Sequence, residues 1–153
     1  MNQLFPRLKN DAVRFEDARG WLAVLYESET VVLKRSFSRA GVFRGLHLQR
    51  APSPQVKLIR VIEGRIIDVI VDIDDPERRI QQSELRPEDE WVRIDAHFAH
   101  GFLATEDTLF EYVCDGGYDE ASEQAFSITA WLEQQFGAQD LVLSDKDRKA
   151  DPL

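Results

Sequence analysis

The chain has one cysteine, Cys114, so no internal disulfide can form and its core must hold by burial alone. A single thiol fits a reducing compartment. No apolar run approaches the roughly 20 residues that span a bilayer, and Met1 to Lys9 lacks the apolar centre of a secretion signal. The sequence therefore reads as soluble and cytoplasmic, with no membrane partner. Basic residues are in deficit: 19 Lys and Arg against 28 Asp and Glu leave a formal charge of -9, which repels a nucleic-acid backbone and excludes nucleic acid as a partner. A local cluster of Arg and Lys can still hold a small anion. Histidine is scarce too, with only His47, His97 and His100. The residue two after His47 is Gln49, so the closely spaced His-x-His of many barrel metal sites is missing. His97 and His100 lie three apart in a segment that reads as a turn. Neither a metal nor another cofactor is expected.

What is present is a succession of short alternating runs divided by turn residues, the pattern of a β-sandwich or barrel. Nine strands are expected, over 21–26, 30–38, 42–49, 57–63, 65–73, 81–85, 91–94, 101–104 and 109–114. Between them Ala18-Arg19-Gly20, Glu63-Gly64, Asp74-Asp75-Pro76 and Asp115-Gly116-Gly117 suit tight reversals. The 65–73 strand is apolar on both faces and should lie inside a sheet, covered on both sides. One helix is expected at 129–136, with Thr129 as N-cap and Gly137 as its stop. At 153 residues the chain can bury one ordinary core. The reading is thus a single all-β domain over 1–153, a jelly-roll barrel with a short C-terminal helical segment.

Three polar groups interrupt otherwise apolar segments: His47 in Arg44-Gly45-Leu46-His47-Leu48-Gln49, Lys57 in Lys57-Leu58-Ile59-Arg60-Val61, and His100 in Phe98-Ala99-His100-Gly101-Phe102. Burial without partners would cost stability at each. A period of two puts His47 and Gln49 on one face with Phe43 and Gly45, and a small barrel turns such a face into its lumen. Any one of these side chains alone is better explained as a satisfied or exposed polar group; only the set points to a site.

The set has a specific likeness. Gly41-Val42-Phe43-Arg44-Gly45-Leu46-His47-Leu48-Gln49, then Gln55-Val56-Lys57-Leu58-Ile59-Arg60-Val61, then Gly64 and Asp68, then Phe98-Ala99-His100-Gly101-Phe102 resemble, in order and spacing, the signatures of the dTDP-4-dehydrorhamnose 3,5-epimerase family. Asp17-Ala18-Arg19-Gly20 upstream and Leu143-Ser144-Asp145-Lys146-Asp147 near the end extend the match. The resemblance implies a cupin-like, double-stranded β-helix fold and a metal-independent epimerase. Its substrate would be a nucleotide-diphosphate 4-keto-6-deoxy sugar, inverted at C3, C5 or both. It implies His47 as base, Asp147 as the group orienting its ring, Lys57 as the cation for the developing C4 oxyanion, and Tyr112 as the acid on the opposite face. Such chemistry needs all of these roles, because a hydrogen beside a ketone is only weakly acidic. Tyr118 matches a second family tyrosine lining the nucleotide or sugar site. Arg44, Gln55 and Arg60 are expected near the diphosphate or sugar, although period two puts Arg60 opposite Lys57. Arg19 is expected at the nucleotide, Gln49 at the substrate, and His100 with Asp68 as a supporting or sugar-contacting pair. A homodimer is implied as well, exchanging N-terminal strands and lending Arg19 to the neighbour's site.

The chain departs from the family pattern in places. Val31-Val32-Leu33-Lys34-Arg35 stands where Gln and Asn usually touch the base, and Val24 where a glutamate is usual. Two other readings share the fold. A keto-sugar isomerase would move the carbonyl between C3 and C4, and a non-catalytic barrel would only bind the sugar nucleotide. The Arg-Gly-Leu-His run and Tyr112 favour the epimerase over the first; keeping His47, Lys57, Tyr112 and Asp147 together favours it over the second.

Overall fold

Alternating runs pair into two six-stranded sheets in the computed structural model, which describes residues 13–137 and 140–153. In chain order the strands are β1 (Arg14–Asp17), β2 (Gly20–Glu27), β3 (Val31–Ser38), β4 (Phe43–Gln49), β5 (Val56–Glu63), β6 (Ile66–Asp72), β7 (Ile80–Leu85), β8 (Val92–Ile94), β9 (Phe98–Ala104) and β10 (Thr108–Asp115). After a 3-10 turn at Glu120–Ser122 come β11 (Glu123–Ser127), α1 (Thr129–Phe136), α2 (Asp145–Arg148) and β12 (Asp151–Pro152). The first sheet runs β1-β2-β3-β10-β5-β8 and the second β12-β11-β4-β9-β6-β7. All pairs are antiparallel except β11 with β12. This is the expected jelly roll, whose two layers share the burden of many edges. Among the described residues no helix is long and apolar enough to cross a membrane.

The nine expected strands all form, and three more accompany them. β1 is charged and fully exposed, β11 reads Glu-Gln-Ala-Phe-Ser, and β12 is two residues with a proline. None has the apolar alternation that marks a strand in sequence; backbone pairing to an existing edge makes them. A second correction concerns β9, which begins at Phe98 and not at Gly101, so His100 lies in a strand and not in a turn. α1 spans the expected residues, but its N-cap is Ile128 without a side-chain cap bond, and Thr129 is already helical. Gly137 closes it in the left-handed region at φ 61°, its amide donating to the Glu133 carbonyl. β6 is an interior strand, one place from its sheet's edge, and apolar on both faces as expected.

Those two faces serve two cores. Ile59, Val61, Ile66, Phe102 and Phe110 pack between the sheets, with Ile70 and Tyr112 against them. Leu46, Leu48, Val69, Val71 and Leu103 lie on the outer face of the second sheet, where Ile128 and Leu132 cover them. Leu132 is fully buried, so α1 is fixed as a lid on that outer layer. The space left between the sheets is the site.

Candidate active site

The pattern of two breaks in β4, and the break builds the site. Phe43 belongs with Leu46 and Leu48 in the outer core, not with His47 as alternation predicts, because the β4–β9 pairing slips between Arg44 and His47. Gly45 makes the slip, at φ 120°, where a Cβ would meet the Gly101 Cα at 2.6 Å and the His100 carbonyl oxygen at 2.7 Å. A Cβ on Gly101 would in turn lie 2.5 Å from the Arg44 carbonyl oxygen. Two facing glycines therefore let the strands close, and Arg44 and His47 both line the cavity.

That cavity holds about 230 Å³ and is walled from both sheets. His47, His100 and Phe102 come from the second sheet; Leu22, Lys34, Phe110 and Tyr112 from the first, with Lys57 beside them on β5. A smaller lobe of about 90 Å³ continues past Lys57 and Tyr118 toward Gln49, Gln55 and Cys114.

Asp147 reaches His47 across 100 residues of sequence. α2 is one turn long, started by Ser144, whose hydroxyl accepts from the Asp147 amide at 3.1 Å. Asp147, 1% exposed, lies with Oδ1 2.5 Å from His47 Nε2 and takes the Gly45 amide on Oδ2 at 3.1 Å. Burial alone would raise its pKa; the hydrogen bond and charge of His47, together with the Gly45 amide, hold it below the usual carboxylate value. With Nε2 engaged, Nδ1 is the ring nitrogen without a protein partner among the described residues. Lys146, the preceding residue, pairs with Glu123, which also lines the cavity, so α2 is tied down at two points.

On the other wall, burial pushes the Tyr112 phenol far above its ordinary pKa and keeps it protonated. Burial pushes the Lys57 ammonium down, and its Nζ lies 3.5 Å from the His47 carbonyl oxygen. Arg44 donates to Ser38 Oγ at 2.8 Å and to the Phe37 carbonyl at 3.1 Å; burial, then the nearby Arg19, lowers its pKa to about 10, so it stays charged at neutral pH. Tyr118 sits at the rim, its phenol pushed up to about 12 by partial burial and then by Glu123. His100 Nε2 and Asp68 Oδ1 are 2.7 Å apart, both buried, and only His100 reaches the cavity. Among the described residues no three His, Cys, Asp or Glu side chains converge as metal ligands do.

The expected placement of Arg60 needs correction. Arg60 lies on the outer face of the first sheet, 3.7 Å from Glu111 and stacked on Trp91 at 4.8 Å, as period two from Lys57 requires. Gln55 lines only the small lobe, its amide spent on the Gly116 carbonyl at 2.9 Å. Gln49 is likewise committed: it donates to the Ser53 and Gly117 carbonyls and accepts from the Asp119 amide, pinning two loops. Arg19 lines the cavity, gripped by Asp17 through Nε and a terminal nitrogen, at the turn between the paired strands β1 and β2. Lys34 and Glu123 are lining residues that the sequence did not single out. Lys34 enters the cavity because it sits in register with Tyr112 across β3 and β10, a pairing that no local sequence signal reveals.

With this geometry, comparison with known proteins is specific. A family model described as dTDP-4-dehydrorhamnose 3,5-epimerase matches residues 8–153. The dTDP-4-dehydrorhamnose 3,5-epimerase of Methanothermobacter thermautotrophicus is 38% identical over 130 residues, covering 77% of this chain and 68% of its own. The crystal structure of the Bacillus anthracis enzyme of that name, with TDP and PPi bound, superposes with a TM-score of 0.71 at 30% identity, covering 93% of this chain and 91% of that one. The dTDP-6-deoxy-D-glucose-3,5-epimerase of Legionella pneumophila, solved with dTDP-4-keto-L-rhamnose, gives a TM-score of 0.66 at 28% identity, over 93% and 85%.

Proposed function

The chain belongs to the dTDP-4-dehydrorhamnose 3,5-epimerase family and is an isomerase that epimerises a nucleotide-linked sugar; we propose that His47 is its base, Tyr112 its acid and a dTDP-linked 4-keto-6-deoxy sugar its substrate. The observation that carries these roles is the opposition of His47 and Tyr112, which enter one cavity from different sheets. Inversion needs that opposition, since a proton must leave one face of a carbon and return to the other.

His47 Nδ1 takes the proton from the carbon beside the ketone; the C–H electron pair becomes the new C=C bond, and the C=O π pair moves onto the C4 oxygen. Asp147, at Nε2, holds the ring in the productive tautomer and stabilises the imidazolium that forms. The Lys57 ammonium, held in poorly solvating surroundings, gains most from the enolate oxygen as its charge appears. Tyr112 then gives its phenolic proton to the opposite face, the carbonyl re-forms, and solvent resets both residues. Arg44 holds the nucleotide diphosphate, Arg19 contacts the nucleotide, and His100 with Asp68 supports the sugar. One domain over the whole chain fits a family match running from residue 8 to 153.

A homodimer is the quaternary state we infer, through the edge strand β1, whose Phe15 is 65% exposed. A fully active monomer by light scattering would remove it. The single thiol supports a cytoplasmic setting. The chemistry is tested by incubating the protein with dTDP-4-keto-6-deoxyglucose in deuterated water and following C3 and C5 by NMR. Deuterium at either carbon, lost in His47→Asn, is the expected result. A moved carbonyl in place of inverted stereochemistry would make the enzyme a ketoisomerase, and binding without exchange would make it a sugar-nucleotide carrier.

A further inference from the structure

Among the described residues five cations line the main cavity: Arg19, Lys34, Arg44, Lys57 and Lys146. Two are neutralised locally, Arg19 by Asp17 and Lys146 by Glu123. That leaves Arg44, Lys57 and Lys34 with positive charge to offer. A nucleoside-diphosphate sugar brings two negative charges on its phosphates, and the enolate adds a third during reaction. Lys57 is taken by the enolate in the epimerase reading, on which this inference rests, so the diphosphate needs two cations and Arg44 is one of them.

Lys34 is placed to be the other. It sits on β3 in register with Tyr112, its Nζ 5.7 Å from the Tyr112 ring centre and 5.2 Å from that of Tyr118. The two aromatic faces hold the ammonium without neutralising it, and among the described residues it makes no hydrogen bond or ion pair. It borders both lobes of the cavity. Arg60 and Gln55, the other groups the sequence suggested for an anion, are on the outer face or already bonded. We propose that Lys34 is a substrate-binding, specificity-determining residue that pairs with Arg44 to hold the diphosphate of the nucleotide sugar. It selects a diphosphate-linked sugar over a neutral or singly charged analogue.

The test is calorimetric binding of dTDP to the full-length wild type, Lys34→Gln and Lys34→Arg, beside KM and kcat for deuterium exchange. Loss of one charge-assisted contact predicts about a 10- to 100-fold weaker Kd for dTDP in Lys34→Gln, with the loss of activity carried by KM. Lys34→Arg, which keeps the charge and stacks on aromatic rings, recovers most of that affinity. Wild-type affinity in Lys34→Gln overturns the proposal. So does equal loss in both variants, which would mark packing against the tyrosines, or loss in kcat alone, which would assign Lys34 to proton return. Wild type that binds dTDP but exchanges no proton refutes the epimerase reading and leaves the Lys34 comparison standing; wild type that does not bind dTDP overturns both.

Discussion

Replacing Asp147 with asparagine removes one charge and exchanges one oxygen for a donor, at a residue whose two oxygens have different duties. Oδ1 faces His47 Nε2 at 2.5 Å, and Oδ2 accepts the Gly45 amide at 3.1 Å. An asparagine has a single oxygen for the two. If that oxygen turns to His47, its NH2 confronts the Gly45 N–H, leaving two buried donors unpaired at a cost of about 1–3 kcal/mol each. If it keeps the Gly45 amide, the NH2 donates to Nε2 and the ring proton moves to Nδ1, the nitrogen that must accept from substrate. The second arrangement is the cheaper, so the variant rests mainly in the unproductive tautomer and has also lost the anion that stabilises the imidazolium. The same exchange in a Ser-His-Asp triad costs about 10⁴ in kcat. Here a fall of about 10²–10⁴ is expected, equal to roughly 2.7–5.4 kcal/mol of barrier. The assay is the initial rate of deuterium entry at C3 and C5 under saturating substrate, with dTDP affinity and thermal midpoint measured on the same preparation. A folded, dTDP-binding Asp147→Asn enzyme with kcat within about threefold of wild type would refute the orienting role.

The same carboxylate sets an acid limit. Its native pKa lies below the unfolded value of about 3.9, so its contribution to stability is complete above that pH and is lost as pH falls through the native pKa. The wild-type thermal midpoint should therefore fall more steeply below about pH 4 than that of Asp147→Asn. Lys57→Met should cut exchange by about 10²–10³ while leaving the thermal midpoint unchanged or higher. Burial disfavours the charged form of Lys57 in the folded state, a cost present below its native pKa and relieved as pH rises from there toward the unfolded value of about 10.4. Tyr112→Phe separates the two half-reactions: deuterium still enters from the His47 side, whereas inverted product, measured by NMR, falls about 10²- to 10⁴-fold. Gly101→Ala puts a methyl group 2.5 Å from the Arg44 carbonyl and should lower the unfolding free energy by about 1–3 kcal/mol in denaturant titrations, misplacing His47 with it.

What was readable in the sequence was whatever alternation or local motif encodes. Lys57 and Arg60 are three apart in one regular strand, and period two correctly put them on opposite faces, one in the cavity and one against Glu111 and Trp91. The rule failed at β4 because Gly45 inserts a slip that a list of residues does not display; its cause is the approach of Gly101 from a strand more than fifty residues away. Asp147 could be named only through family likeness, since nothing local in Ser144-Asp145-Lys146-Asp147 says that a one-turn helix will dock beneath β4. Lys34 shows the converse limit. In Lys34-Arg35 two adjacent cations must point to opposite faces, but which one enters the lumen depends on the β3–β10 register, which puts Lys34 beside Tyr112 and Arg35 beside Glu111. A shift of one residue would exchange them, moving Arg35 into the cavity and leaving Glu111 to face Lys34. Charge placement in this barrel is thus decided by strand pairing, and substrate charge selection inherits that register.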